Sequence, residues 1–113
     1  MGKGHSEVLQ GTLDLMILKT LAAMGPQHGY GLARCIEDVS DSVLQLNEGT
    51  VYAALLRLGQ SHWIVSEWGL SENNRRARFY AITRLGRKRL ADETAEWKKV
   101  SGVVWRVLAM ARE

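Results

Sequence analysis

Residues 63–83 constrain the fold more than any other part of the chain. Residues 63–68 (WIVSEW) alternate and are rich in aromatic and β-branched side chains, and residues 76–83 (RARFYAIT) read the same way. The connection between them, residues 69–75 (GLSENNR), has the glycine, serine and asparagine content of a hairpin loop. A two-stranded ribbon is marginal in water unless it packs on something else. The remaining sequence must therefore supply helices to cover it.

It does so in a definite order. Residues 9–24 read as a helix that stops before Gly25-Pro26. A second helix is expected over about residues 29–39, where Leu32, Ile36 and Val39 follow helical spacing. Leu44, Gln45 and Leu46 suggest a very short strand. A third helix starts near Glu48, with Val51, Ala54, Leu55 and Leu58 as its inward stripe and Thr50, Ala53, Arg57 and Gln60 on its outward face. Phe79 is expected to hold the ribbon down by packing inward with Ala77 and Ala81, and Thr83 to cap a last helix reaching about Ala111. Residues 1–7 read as a loose tail. This order describes a mainly α fold with a small β-wing. Residues 1–83 form a winged helix-turn-helix and residues 84–113 a long C-terminal dimerisation helix, in one compact domain.

Two helices carry more apolar surface than one small domain can hide. The first is apolar on opposite sides, with Leu9, Leu13, Met16 and Ile17 on one and Leu15, Leu18 and Ala22 on the other. The last has a seam of Leu90, Trp97, Val100, Val104, Leu108 and Ala111, widened by Val103, Trp105 and Met110. A second copy of the chain is the expected cover. Leu13, Met16, Trp97, Val100, Val104 and Leu108 are the candidate dimer surface. Trp97 and Trp105 are also candidates for stacking on a small planar ligand, although aromatics at helical spacing more often fill a core.

The charge is uneven. The net charge is only +3, but residues 73–91 hold no acid and include Arg75, Arg76, Arg78, Arg84, Arg87, Lys88 and Arg89. A basic stripe beside a ribbon suits duplex DNA, whose phosphates pair with arginine. A solvated loop, or a wing that binds protein or RNA, is the competing reading.

Other chemistry is thinly represented. Cys35 is the only cysteine, so the chain has no internal disulfide, and a small buried hydrophobe is its expected role. His5, His28 and His62 lack metal-ligand spacing. No phosphate-cradling glycine loop or nucleophile elbow is present, and Asp92, Glu93 and Glu96 read as a solvated helix flank. No enzyme, metal or cofactor is expected. With no signal peptide and no apolar run of membrane-spanning length, the expected location is cytoplasmic, with no membrane partner.

The segments GTLDLMILKTLAAMGPQHGYGLARCIE, NEGTVYAALLRL and WIVSEWGLSENNRRARFYAITRLGRKRL resemble the PadR family of bacterial transcriptional regulators, over about residues 8–97. The resemblance implies a homodimeric winged-helix repressor on a palindromic operator, with the first and last helices building the dimer. The short C-terminus resembles the compact branch of the family, some of whose members sense phenolic acids or planar drugs. By the same resemblance, a small aromatic effector of unknown identity is a candidate partner. The DNA contacts would fall on Tyr30, Thr50, Tyr52, Arg57, Asn74, Arg75, Arg76 and Arg78. This sequence departs from the family pattern at Ala53, Leu56, Gly59 and His62. His62 replaces a helix-ending glycine, so it must accept a left-handed backbone or the helix must end earlier.

Overall fold

A computed structural model describes the backbone of residues 3–112 and the side chains of residues 11–112. The elements are α1 (Lys3–Met24), β1 (Gln27–His28), α2 (Gly29–Val39), α3 (Glu48–Gln60), β2 (Ile64–Leu70), β3 (Arg76–Ile82) and α4 (Arg84–Leu108). The strands form one antiparallel sheet in the order β1-β3-β2. α1 starts at Lys3, so the helix takes in most of the segment that reads as a tail; no proline interrupts it. Among the described residues, no helix is long and apolar enough to cross a membrane.

The third strand is not where the sequence suggests. Residues 44–46 are irregular, and Gln27 and His28 instead pair with Tyr80 and Phe79. The reason lies in the end of α2. The N–H of Leu44 donates to the Ser40 hydroxyl (3.1 Å), and the N–H of Leu46 donates to the Glu37 carboxylate (2.8 Å). Side chains take the donors that a strand ladder would need.

The core draws on every layer. Leu13, Ile17, Leu18 and Leu21 of α1 meet Leu32, Ala33 and Ile36 of α2, then Val51, Ala54, Leu55 and Leu58 of α3, with Ile64 and Tyr80 closing it from the sheet. Burying each of the larger side chains is worth about 1.5–3 kcal/mol. Two expectations are corrected here. Leu13, assigned above to the dimer surface, is only 2% exposed within its own chain, because α1 runs through the middle of the helical layer and is covered on more than one side. On β3, Tyr80 rather than Phe79 reaches this core. Strand alternation sends Phe79, Ala77 and Ala81 to the opposite, half-buried face. There Phe79 meets His28 edge-on, with ring centroids 5.3 Å apart.

The end of α3 settles the question at His62. Its φ is +64°. The N–H of Trp63 donates to the Leu58 carbonyl (3.1 Å) and that of His62 to the Gly59 carbonyl (3.0 Å). This pair of bonds is a Schellman motif with histidine in the position glycine usually fills, and the helix does not end at Gly59. The same corner anchors α4. The Thr83 hydroxyl donates to the His62 carbonyl (2.8 Å) and accepts from the Gly86 N–H (2.9 Å). A Cβ on Gly86 would run into the Trp63 carbonyl oxygen, so glycine lets α4 sit directly on the turn.

From that anchor α4 runs for 25 residues, about 37 Å of helix. Its second half leaves the core. The radius of gyration is 15.9 Å, against roughly 13 Å for a compact domain of this length.

Candidate nucleic-acid interface

α3 is held by its inward stripe and by its N-cap, where the Asn47 side chain accepts from the Thr50 N–H (3.1 Å). The other side of the helix is open. Thr50, Tyr52, Ala53, Leu56 and Gln60 are exposed, with Tyr52 and Leu56 each at 64%. Tyr30 also stands out from the surface, at the start of α2. The His28 ring accepts the Gly31 N–H (3.0 Å) and so caps that helix end. The Arg34 guanidinium donates to the Tyr30 hydroxyl (2.9 Å) and lies 5.7 Å from the ring centre. The phenol oxygen keeps the Arg34 guanidinium pKa above its ordinary value.

The wing is built by the β2–β3 hairpin. Ser71 and Arg75 close the loop through an N–H to carbonyl bond (2.8 Å), and Asn74 takes a left-handed φ of +61° at the tip, a conformation asparagine tolerates. The ladder pairs Ser66 with Tyr80, Trp68 with Arg78 and Leu70 with Arg76. These six residues therefore share one face of the ribbon. A groove of about 470 Å³ separates this face from α3, lined by Tyr52, Leu56 and Gln60 on one side and Ser66, Arg78 and Tyr80 on the other. Burial pushes the Tyr80 phenol pKa up, with Tyr52 adding to it, which keeps the phenol protonated.

The candidate residues do not all meet on this surface. Tyr30, Thr50, Tyr52, Asn74, Arg75, Arg76 and Arg78 are exposed. Arg57 is half-buried and held by α1. Its guanidinium grips the Asp14 carboxylate of α1 at 2.7 and 3.4 Å, and its side chain is only 35% exposed. It ties α3 to α1, a role that depends on a contact between residues 43 positions apart.

The acid-free stretch of sequence divides in space. Lys88 and Arg89 reach one helical turn forward to Asp92 and Glu93, at 3.4 and 2.7 Å. Among the described residues, Arg75, Arg76 and Arg78 have no carboxylate partner. The wing arginines, like Arg84 and Arg87 of α4, therefore keep their charge uncompensated by an ion pair among the described residues. Two neighbours of this surface are missed by the sequence patterns. Arg34 is legible in principle, since it stands four residues from Tyr30. Trp68 is not, because its place opposite Arg78 depends on strand register.

The candidate dimer and ligand residues lie elsewhere. Trp97, Val100, Val104, Trp105 and Leu108 are 44–71% exposed along the outer half of α4. Met16 is half-buried and lines a separate apolar groove of about 1070 Å³ between α1, α2 and α4. Neither Trp97 nor Trp105 lines that groove. Among the described residues, no cluster of three His, Cys, Asp or Glu side chains could hold a metal ion.

Comparison with known proteins matches this architecture. The model of the transcriptional regulator PadR-like family matches residues 17–92. A transcriptional regulator from Clostridium thermocellum is 31% identical, with 89% of this chain and 94% of that one covered and a TM-score of 0.79. A PadR-like transcriptional regulator from Bacillus cereus is 25% identical, covering 93% and 99% of the two chains with a TM-score of 0.78. A solved structure from Thermoplasma acidophilum, also 25% identical, covers 94% and 99% with a TM-score of 0.79.

Proposed function

The chain belongs to the PadR-like family of transcriptional regulators, and from that premise we propose that it is a homodimeric, sequence-specific DNA-binding repressor acting in the cytoplasm. The family is one of regulators, not enzymes. The observation that carries the DNA reading is the wing. Three exposed arginines without carboxylate partners among the described residues stand on it, and one of them, Arg78, lines the groove against the open face of α3. Arginine at such an edge meets phosphate through paired hydrogen bonds. In this reading α3 enters the major groove with Thr50 and Tyr52, while Tyr30, Asn74, Arg75, Arg76 and Arg78 touch the backbone beside it.

Residues 84–113 carry dimerisation, and residues 1–83 carry DNA binding. The exposed apolar run from Trp97 to Leu108 supports a second copy as its cover. Trp97 and Trp105 then fill the dimer core. Two α3 helices in such a dimer would reach half-sites about one helical turn apart, roughly 34 Å, on a palindromic operator.

The test is a salt titration of binding to the DNA upstream of the protein's own gene, with random duplex as competitor. Contact with six to ten phosphates predicts a loss of roughly 10³ to 10⁵-fold between about 50 and 200 mM salt. A flat response would count against DNA as the partner. Equal affinity for both DNAs would count against an operator there.

A further inference from the structure

Trp68 is out of place as a structural residue. It is 55% exposed and takes no part in the core. What it touches instead is charge. The Arg76 guanidinium carbon lies 4.6 Å from the centre of its ring and that of Arg78 lies 5.4 Å away. One aromatic ring therefore gathers two arginines that the strand register brings to the same face.

Among the described residues, no ion pair or side-chain hydrogen bond holds these two side chains. The carboxylates nearest in sequence, Glu67 and Glu72, pair with neither. No side-chain hydrogen bond restrains either guanidinium. A cation over a ring is held by the ring's quadrupole and gives up none of its N–H donors. A salt bridge would restrain the same arginines but would occupy the donors and cancel the charge. Stacking restrains them and leaves both intact.

We propose that Trp68 is a positioning residue that pre-orders Arg76 and Arg78, N–H edges outward, for the phosphate backbone of duplex DNA. The inference rests on the DNA-binding reading above. Its physical basis is the entropy of long side chains. A free arginine on a hairpin samples many rotamers and must lose that freedom when it meets a phosphate. Here part of the loss is taken when the protein folds. The face is also the right one, since Arg78 lines the groove that faces α3.

The experiment compares the parent with Trp68→Ala, Trp68→Phe and Arg76→Ala, using a fluorescein-labelled duplex of mixed sequence across a salt series. The free proteins are followed in parallel by ¹⁵N relaxation of the arginine Nε–H groups. Trp68→Ala is expected to weaken binding by roughly tenfold with the salt slope unchanged, because the arginines still reach phosphate. In the free variant, the Arg76 and Arg78 Nε–H groups should become more mobile. Arg76→Ala instead lowers the salt slope by about one. Trp68→Phe, which keeps a ring face, should restore most of the affinity. Circular dichroism confirms that each variant is folded.

Salt-steep binding by the parent with no loss in Trp68→Ala would overturn the inference and leave the DNA reading standing. So would weakened binding with arginine mobility unchanged, because Trp68 would then be touching DNA itself. A parent with no salt-dependent binding would remove the function and this inference together.

Discussion

Arg57 and Asp14 form the one ion pair found between separate elements among the described residues, at 2.7 Å, and it clamps α3 onto α1. Helical spacing alone puts Arg57 on the outward face of α3, where the family resemblance makes it a DNA contact. The carboxylate of α1 gives it a structural task within the chain. Arg57→Met is therefore expected to lower stability by about 1 kcal/mol, as read by urea denaturation. The Asp14→Asn, Arg57→Met double variant should lose little more than the larger single loss, since both changes break one interaction. Strict additivity would show that the two side chains act independently.

The wing arginines should behave in the opposite way. Arg75→Ala with Arg76→Ala is expected to weaken binding to every duplex and to reduce the salt slope by about two. Unfolding free energy should stay within about 0.5 kcal/mol of the parent, because both side chains are exposed. Parental affinity in the double variant would make the wing a solvated loop.

The outer half of α4 tests the dimer. Val104 is 48% exposed in a single chain, and in the proposed dimer it is buried. Val104→Asp would place an uncompensated carboxylate in that seam, where desolvation is costly. Sedimentation velocity should show a monomer, or a steep concentration dependence where the parent has none. A variant that stays dimeric would move the interface to another surface.

His62 offers a stability test at a single backbone position. Its φ of +64° costs a residue with a Cβ roughly 1–2 kcal/mol. Glycine removes that cost, and the greater freedom it gives the unfolded chain offsets part of the gain. His62→Gly is therefore expected to stabilise the protein by about 0.5–1 kcal/mol, measured as a higher midpoint at unchanged slope in urea. A lower midpoint would mean that the imidazole makes a stabilising contact in the groove between α3 and β2.

Much of this molecule is legible in its sequence. The third helix begins at Glu48, its inward stripe is Val51, Ala54, Leu55 and Leu58, and Thr83 caps α4, all as local patterns predict. Those signals work because a cap or a helical stripe is a relation among residues three or four apart, decided by the chain's own geometry. The end of α3 is legible only as two alternatives, a left-handed His62 or an earlier stop, and the structure takes the first. The location of uncompensated charge is only half legible: the acid-free window is visible in the sequence, but it does not show that Lys88 and Arg89 pair at i, i+4 while the wing arginines find no carboxylate among the described residues.

What tertiary structure alone decided is which distant residues meet. Leu13 faces its own core rather than a partner. Gln27 and His28 supply the third strand, and Tyr80, not Phe79, closes the core. Arg57 finds Asp14, and Trp68 falls opposite Arg78. Each of these turns on strand register or on the rotation of one helix against another. A shift of one residue reverses every face of a strand, and no local pattern contains the competing contacts that select one register over its neighbours.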